Sequence, residues 1–400
     1  MNELKPLKVA IIGCGTISHI YMTNIKEKFA ILDLVACADL IDDRAQKRAD
    51  EFGLKKMTNA EILADKSIDL VINLTTPQSH FEVCKDILNA GKHCVVEKMM
   101  TVDYPEAEEL CKLAEEKKLM FGSAPDTFLG GGWQSVRKYV DDGVVGKPIS
   151  VNAVITCSYQ PVTATFDIGA DNFFFPLHPG GGLPYDLGGY YLHNMINLFG
   201  RVKRVSGFGG NIDPTRKYVN PHHPKYGEAY LVNTPTSLSG ILEFESGVLG
   251  TFLVSSDSAV YDSFTVQGTE GNLKLFHPNF FSGSIVLQRP GAIADEEKQI
   301  GMLKETGYRP APDSVELPIL HGYCDNNRGL GVADMAYAIK NNRKPRVHHS
   351  LGLHAMEIIH GMLESAKTGV TYIMQSQVER PKMRRTGVEI GTAQENSLDD

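Results

Sequence analysis

The sequence lacks the features that mark membrane, secreted and nucleic-acid-binding proteins. None of its apolar runs approaches the roughly 20 residues that a membrane-spanning helix needs. A signal-peptide core is also missing at the N-terminus, because the apolar run 9–12 is short and is closed by Gly13. There is no excess of positive charge either: the formal net charge is -8, and the pI is near 5.9. Because phosphate backbones need a basic face, we expect neither a membrane nor a nucleic acid as partner.

Cysteine and histidine clusters at metal-binding spacing are absent as well. The seven cysteines contain no Cys-x-x-Cys pair. The histidine pairs 222–223 and 348–349 are adjacent in sequence, so their side chains are expected to diverge and to suit chelation poorly. In a long chain without a secretory signal, such cysteines are typically reduced and buried. We therefore predict a cytoplasmic protein with no bound metal.

The first 125 residues alternate short apolar runs with helical patterns. The predicted strands are Lys8–Ile12, Leu32–Ala38, Leu70–Thr75, His93–Glu97 and Leu119–Ser123. The predicted helices between them are Ile17–Lys28, Arg44–Phe52, Asn59–Ala64, Phe81–Ala90 and Tyr104–Lys117. Strands that alternate with amphipathic helices predict a doubly wound parallel sheet. Residues 1–125 are therefore interpreted as a Rossmann domain of an α/β protein.

After Pro125 the pattern changes to alternating strands with hairpin turns. The predicted strands are Ile149–Tyr159, Leu238–Phe244, Val248–Ser255, Ser263–Gly268 and Asn272–Phe276. The predicted helices are Gly132–Asp142, Pro184–Leu198, Gly331–Asn341 and Leu351–Lys367. Residues 126–380 are thus expected to form a C-terminal α+β domain with a largely antiparallel open sheet. Residues 289–315 are interpreted as a polar insertion and residues 381–400 as a disordered tail.

A glycine-rich turn, Gly-x-Gly-x-x-Ser at 13–18, follows the first predicted strand and opens a helix. Glycines there let a pyrophosphate approach the backbone N–H groups of the helix N-terminus. Asp39 ends the second strand 21 residues after Ser18, where a carboxylate can accept both hydroxyls of an adenosine ribose and would repel a 2′-phosphate. The pattern predicts NAD rather than NADP. The cofactor contacts expected in this region are Gly13, Gly15, Thr16, Ile17 and Asp39.

Four polar residues recur at helical spacing in the second half of the chain. They are Asp186, Tyr190, His193 and Asn197. Their separations of 4, 3 and 4 residues place them within roughly 60° of one helical face. Glycines, a proline and aromatic residues lie next to these four residues in the sequence. This setting favours a functional site over the alternative, in which the four residues form an ordinary solvent-exposed polar face.

Three further motifs follow the glycine-rich turn: Asn73-Leu-Thr-Thr-Pro-Gln-Ser-His80, Val95-Val-Glu97-Lys98, and Gly180-Gly-Gly-Leu-Pro-Tyr-Asp186-Leu-Gly188-Gly-Tyr190. In this order the motifs resemble those of the glucose–fructose oxidoreductase/inositol dehydrogenase family (Gfo/Idh/MocA), over roughly residues 7–380. The resemblance implies an oxidoreductase that transfers hydride between NAD and a sugar or glycoside hydroxyl, with C3 as one candidate carbon. It also implies a homo-oligomer, dimer or tetramer, formed through the sheet of the second domain.

The resemblance implies roles for individual residues. The lysine that matches Lys98 bonds the reacting hydroxyl and helps to move its proton. Tyr190 acts as an acid/base or orients a hydroxyl, and Asp186 binds a substrate hydroxyl. Glu97 and His80 would lie near the nicotinamide ribose, with helix capping or core packing as the alternative for His80. The other cofactor contacts implied are Thr75, Thr76, Pro77 and Lys98 itself. The substrate cleft is expected to contain Asp126, Tyr159, His178, Asp186, Tyr190 and His193.

One further expectation concerns the charge of Lys98, and three positions differ from the family pattern. Burial of Lys98 near a cationic nicotinamide is expected to disfavour its ammonium form and make it a better base. Met99 replaces the proline of the family's Glu-Lys-Pro, so a cis peptide there would be non-prolyl and a trans one would shift Lys98. Asp126 stands where many relatives have arginine. His193 stands where inositol dehydrogenases have aspartate, and contacts either substrate or backbone.

Two other functions fit the same residues. Redox-neutral glycosidases of this fold oxidise C3 transiently and eliminate the aglycone, for example from sulfoquinovosides. That chemistry needs an additional base near C2, for which Tyr190 or His193 is available. A non-catalytic cofactor-binding sensor would lack proton-transfer groups, and the presence of Lys98 and Tyr190 argues against it. The single tryptophan, Trp133, either stacks on a sugar ring or packs in the core.

Overall fold

The first half of the chain forms a six-stranded parallel sheet in a computed structural model that describes residues 5–157, 179–218, 221–222, 224–289 and 313–386. Its strands are β1 (Leu7–Ile12), β2 (Leu32–Ala38), β3 (Lys55–Lys56), β4 (Leu70–Asn73), β5 (His93–Val96) and β6 (Phe121–Ser123). The connecting helices are α1 (Ser18–Lys28), α2 (Asp42–Phe52), α3 (Asn59–Ala64), α4 (Pro77–Asn89) and α5 (Tyr104–Glu116). The strand order is β3-β2-β1-β4-β5-β6, and every pairing is parallel. The predicted doubly wound sheet is confirmed.

The apolar strands of this sheet are buried because helices cover both faces. All four residues of β4 are buried, as expected for a strand with no solvent-facing side. Because the strands are parallel, the carboxyl ends of β1, β4 and β5 lie along one edge, and the strand order reverses between β1 and β4. In doubly wound sheets, ligands bind outside this edge at such a switch point.

The second half forms a nine-stranded mixed sheet. Its strands are β7 (Pro148–Thr156), β8 (Val202–Gly210), β11 (Ser237–Phe244), β12 (Leu249–Ser255), β13 (Tyr261–Gly268), β14 (Asn272–Leu275), β15 (Val286–Arg289), β16 (Asp313–Glu316) and β17 (Tyr372–Ile373). A separate two-stranded ribbon pairs β9 (Thr215–Lys217) with β10 (Ala229–Leu231). The order is β16-β15-β14-β13-β7-β12-β11-β8-β17. Among the described strands of this sheet, only β7 and β12 pair in parallel. The predicted, largely antiparallel sheet is confirmed.

Helices cover one face of the second sheet and join it to the first. They are α6 (Gly131–Asp141), α7 (Leu183–Asp186), α8 (Gly188–Phe199), α9 (Leu330–Asn341) and α10 (His349–Thr368), with a 3₁₀ turn at Thr127–Leu129. Helix α10 packs on β8 and α8 of the second half, and on β6 and α5 of the first. In the ranges that the structure describes, no helix is long and apolar enough to cross a membrane.

The helix predicted at Pro184–Leu198 is two helices. Helix α7 ends at Asp186, and Leu187 connects it to α8, which begins at Gly188. Two successive glycines, Gly188 and Gly189, weaken helical continuity at this point. The four predicted polar residues are therefore divided between α7 and α8.

The predicted insertion and tail also need correction. Residues at both ends of the proposed insertion, 286–289 and 313–316, pair as the antiparallel strands β15 and β16, while 290–312 lie outside the described residues. Within the predicted tail, Arg384 is buried: it is 2% exposed, and its guanidinium donates to the Leu129 carbonyl at 2.6 Å, while residues 387–400 lie outside the described residues. Its Nη1 has this carbonyl acceptor, whereas Nε and Nη2 are buried without a hydrogen-bond partner among the described residues, and the guanidinium lies 4.4 Å from the centre of the Tyr323 ring.

Candidate active site

The glycine-rich turn lies where β1 ends, at the carboxyl edge of the parallel sheet. Gly13 has φ +105°, and a Cβ there would lie 2.5 Å from the carbonyl carbon of Leu74, so this position requires glycine. A Cβ on Gly15 would meet no atom within 4 Å. The open space at Gly15, next to the N-terminus of α1, suits a pyrophosphate.

Asp39 is held beside this turn by two backbone groups. Its Oδ2 accepts from the Cys14 N–H at 2.7 Å, and its Oδ1 accepts from the Ile41 N–H at 2.8 Å. The carboxylate keeps lone pairs for the hydroxyls of an adenosine ribose. The residues that follow, Leu40 and Ile41, are exposed and uncharged, and offer no cation to a 2′-phosphate. This arrangement fits NAD.

The segment after β4 borders the same edge, with Thr76 and Pro77 at the start of α4. His80 is fully buried on that helix, with Nδ1 2.7 Å from the Met99 carbonyl oxygen and Nε2 3.0 Å from that of Thr75. Burial lowers the pKa of His80. The ring therefore connects the segment after β4 with the segment after β5. Of the alternatives for His80, the geometry favours the packing role.

Lys98, directly after β5, meets Asp186 at the end of α7. Its ammonium forms an ion pair with Asp186 Oδ1 and lies 5.8 Å from the centre of the Tyr190 ring. The two paired side chains are only 14% and 16% exposed. The Lys98–Met99 peptide is cis. Three residues predicted to handle substrate and proton are thus brought together from two halves of the chain.

The protonation of Lys98 differs from the expectation. Burial by itself lowers the pKa of Lys98, but the charge of Asp186, with contributions from Tyr190 and Glu97, outweighs burial and raises the pKa above its ordinary value. Lys98 is therefore an ammonium ion and a hydrogen-bond donor. The prediction that burial would make it a base is wrong, because it did not include the ion pair with Asp186.

Glu97 links the same edge to helix α1. Its Oε1 accepts from the Tyr21 hydroxyl at 2.8 Å, and its Oε2 accepts from the Lys98 N–H at 3.0 Å. Burial, followed by the charge of Glu97, raises the pKa of Tyr21 well above its usual value. Sequence reasoning missed Tyr21, because its position on the buried face of α1 is also that of an ordinary core residue.

Tyr190 lies on α8 and is 4% exposed. Its hydroxyl oxygen accepts a hydrogen bond from Nη2 of Arg328 at 3.5 Å. Burial raises the pKa of Tyr190, and the charges of Lys98 and Arg328 act in the opposite direction. Arg328 was not predicted: 138 positions separate it from Tyr190, so no local pattern connects the two.

Two predicted substrate residues bond to backbone instead. Asp126 is buried, and its Oδ2 accepts from the N–H groups of Gly329 at 3.0 Å and Gly331 at 2.9 Å, at the start of α9. Burial raises the pKa of Asp126 to about 6. His193 is 1% exposed, with Nδ1 2.8 Å from the Gly189 carbonyl oxygen, and burial lowers its pKa to about 4. Asp126 thus caps a helix in place of the predicted contact, and His193 takes the backbone alternative.

The remaining predicted residues are placed as follows. Tyr159 and His178 lie outside the described residues. Trp133 is fully buried against Phe264 and Phe276, which supports the core alternative. The rings at 348 and 349 lie 3.9 Å apart rather than diverging, yet no group of three or more His, Cys, Asp or Glu in the described part of the chain could hold a metal.

Two family models match successive parts of the chain. The model described as "Oxidoreductase family, NAD-binding Rossmann fold" matches residues 7–124, and the "GFO/IDH/MocA C-terminal domain" matches residues 133–274. This chain belongs to the GFO/IDH/MocA family. Its parallel sheet accordingly lies in the NAD-binding Rossmann domain of this family, as its glycine turn and Asp39 predicted.

Relatives of this GFO/IDH/MocA protein include dehydrogenases. The scyllo-inositol 2-dehydrogenase (NAD(+)) of Bacillus subtilis is 25% identical over 277 residues, which are 67% of this chain and 73% of the relative. An uncharacterized oxidoreductase of Schizosaccharomyces pombe, C26H5.09c, is 31% identical over 211 residues, 51% of this chain and 54% of the relative. The chain spans about half the length of the first curated relatives it matches. Levoglucosan dehydrogenase, in its apo form, shares the fold with a TM-score of 0.74 at 16% identity, covering 93% of this chain and 99% of that one.

Proposed function

We propose that this chain is an NAD-dependent dehydrogenase that acts on a hydroxyl group of a sugar, polyol or glycoside. The observation that carries the proposal is the meeting of Lys98, Asp186 and Tyr190 at the carboxyl edge of the NAD-binding sheet. Each of these side chains can hydrogen-bond a hydroxyl or carbonyl oxygen. Relatives that act on an inositol and on levoglucosan support the substrate class.

The roles of the three residues follow from their charges. A bound nicotinamide supplies hydride chemistry. The Lys98 ammonium donates a hydrogen bond to the reacting oxygen and stabilises negative charge on it. The Tyr190 hydroxyl gives a proton to that oxygen in the reducing direction and takes it back in the oxidising direction. Asp186 holds Lys98 in its charged form and accepts a hydrogen bond from a neighbouring substrate hydroxyl.

Redox-neutral glycoside cleavage is the alternative outcome. Of the two residues considered as a base near C2, His193 is buried on a backbone carbonyl, which leaves Tyr190. The two reactions differ in where the hydride ends. A dehydrogenase accumulates NADH in proportion to keto-sugar, whereas a glycosidase releases aglycone without net NADH and incorporates deuterium at C2 in D2O.

The test is a panel of sugars, polyols and glucoside-like glycosides assayed with NAD, following NADH and aglycone together. We expect stoichiometric NADH with at least one substrate. Lys98→Met should lower turnover by on the order of 10²-fold while leaving NAD affinity largely intact. Lys340→Met, which removes an exposed lysine from α9, is the matched control. Aglycone release at constant NADH, with C2 deuteration, would replace the dehydrogenase by the glycosidase.

We further propose where the protein acts, how it assembles and that it needs no metal. All seven cysteines are free thiols, as expected of a protein in the reducing cytoplasm, where we place it. We also propose a homo-oligomer formed through the second sheet, and catalysis that needs no metal. Activity lost in a chelator and restored by a divalent ion would contradict the last point.

A further inference from the structure

The loop that precedes α9, residues 326–329, is fixed to two other parts of the protein. Asn24 on α1 donates through Nδ2 to the carbonyl oxygens of Asn326 at 2.9 Å and Arg328 at 2.8 Å. The next residue, Gly329, donates its N–H to Asp126, which follows β6. Because its neighbours on both sides are bonded, the backbone of Arg328 has a defined position beside the candidate active site.

The side chain of Arg328 is held by neutral groups. Its Nη2 donates to Asn279 Oδ1 at 2.6 Å and to the Tyr190 hydroxyl at 3.5 Å, and its Nη1 donates to Asn326 Oδ1 at 2.8 Å. Among the described residues, no carboxylate forms an ion pair with this guanidinium. A partly buried cation, with no ion pair among the described residues, therefore faces Tyr190.

We infer that Arg328 is a positioning residue that orients the Tyr190 hydroxyl as a proton donor and stabilises its phenolate. A guanidinium has donors only, so the phenol oxygen accepts from Arg328 and its own hydrogen is left for another acceptor. In the proposed reaction, on which this inference rests, that acceptor is the carbonyl oxygen of the keto substrate. The O–H bond of Tyr190 breaks as the substrate O–H bond forms, and the carbonyl carbon receives hydride from NADH.

The charges around Tyr190 support this role. Lys98 faces it from the segment after β5 and Arg328 from the loop before α9, and both cations favour the phenolate. Glu97 opposes them, and burial raises the pKa of Tyr190. Of the carboxylates around the two cations, Asp186 pairs with Lys98, and Asp126 caps α9. Removing the charge of Arg328 should therefore raise the pKa of the Tyr190 hydroxyl.

A direct titration tests this coupling without any substrate. The signals of ring-labelled tyrosines are followed by NMR against pH, and Tyr190→Phe identifies the signal of Tyr190. Arg328→Gln should raise the pKa of Tyr190 by on the order of 1 unit, the effect typical of losing one nearby charge. Arg328→Lys should restore part of the shift, and Lys340→Gln, the same loss of charge at an exposed position of α9, should have no effect. An unchanged Tyr190 pKa in both Arg328 variants would overturn the inference.

Kinetics test whether Arg328 acts through Tyr190. In the reducing direction the alkaline limb of kcat/KM should move to higher pH in Arg328→Gln, with turnover lowered about 10-fold, the change equivalent to 1 pKa unit. Adding Arg328→Gln to Tyr190→Phe should cost nothing further. An equal loss in both backgrounds, or a rise in KM alone, would show that Arg328 binds substrate instead. If no substrate is oxidised, the proposed function fails, and the titration still decides the inference.

Discussion

Lys98 has two carboxylates beside it: Asp186, with which it pairs, and Glu97, which accepts from its backbone N–H. In the proposed function, the pair makes Lys98 a donor at the reacting oxygen, and Tyr190 is left to exchange the proton. This division of roles depends on the charge of one side chain. It can therefore be tested by removing that charge at constant shape.

Asp186→Asn should give Lys98 a titration within the accessible pH range. The charge of Asp186 raises the pKa of Lys98, so the variant lowers it, and the ammonium is lost as pH rises through the lowered pKa. Reduction needs the ammonium, so kcat/KM for reduction should gain a second alkaline limb, at lower pH than the limb set by Tyr190. Asp186→Glu, which keeps the charge, should not gain one. Identical pH profiles for Asp186→Asn and the native protein would show that this pair does not set the charge of Lys98.

Asp39 should determine the preference for NAD over NADP. Its two carboxylate oxygens are held by the N–H groups of Cys14 and Ile41, beside the glycine turn. Asp39→Ala should lower the ratio of NAD affinity to NADP affinity by about tenfold or more. The variant loses both acceptors for the ribose hydroxyls and the repulsion of a 2′-phosphate. Titration calorimetry with both cofactors measures the ratio. Asp42→Ala, which removes an exposed carboxylate paired with Lys56, is the control. Tighter binding of NADP to the native protein would contradict the assignment.

At the scale of elements, the turn from β1 to α1 carries two glycines with different requirements. Gly13 has a positive φ and no room for a Cβ, whereas a Cβ on Gly15 would enter open space. Gly13→Ala should therefore lower the melting temperature, because the backbone of Leu74 must move. Gly15→Ala should leave the melting temperature nearly unchanged and weaken NAD binding, because its methyl group enters the pyrophosphate space. Thermal unfolding measures the melting temperature of both variants, and calorimetry measures their NAD affinity. A Gly15→Ala variant that loses stability but keeps its NAD affinity would contradict this assignment.

The break between α7 and α8 decides which of the four polar residues lie together. A continuous helix would carry four polar residues on one face, but Leu187 separates Asp186 from the other three. Asp186 and Tyr190 reach Lys98, whereas His193 turns to the Gly189 carbonyl. The helical period selected two residues that meet Lys98, namely Asp186 and Tyr190, and overestimated how many residues of the face lie together.

At the scale of the whole molecule, the second sheet has one face packed on helices and one that displays apolar side chains. Ile241 on β11 lies opposite Ser206 of β8 and Thr251 of β12, so its 58% exposure belongs to this open face. Phe208, on the same face of β8, is 80% exposed. Exposed apolar residues on a broad sheet are typical of subunit interfaces.

Ile241→Glu should therefore lower the mass of the proposed homo-oligomer toward that of a 44.0 kDa chain. A charge at the centre of an apolar interface is costly to bury and would weaken association. Val260→Glu, at a 77% exposed position in the loop between β12 and β13, is the control. Analytical ultracentrifugation measures both variants. A native protein that sediments as a monomer would contradict the oligomer itself.

The sequence by itself determined the parts of this protein that depend on local patterns. Alternating apolar runs and helical periods predicted the doubly wound sheet, since burial on both faces requires continuous apolar strands. The close approach of a pyrophosphate to backbone N–H groups identified the glycine turn, and the hydroxyls of an adenosine ribose identified Asp39. Motif resemblance pointed to Lys98, Asp186 and Tyr190 as one site. Each of these signals lies within a short stretch of chain, where residue spacing alone carries the information.

Only the tertiary structure decided how distant residues set one another's charge. Asp186 stands 88 positions from Lys98, and Arg328 stands 138 from Tyr190, so their contacts arise from packing and not from spacing. The same packing made Asp126 a helix cap. Electrostatic energies depend on distances through space and on burial, and neither is encoded in a local period. For that reason the sequence could predict the candidate site, while the protonation of Lys98 and the proposed role of Arg328 required the fold.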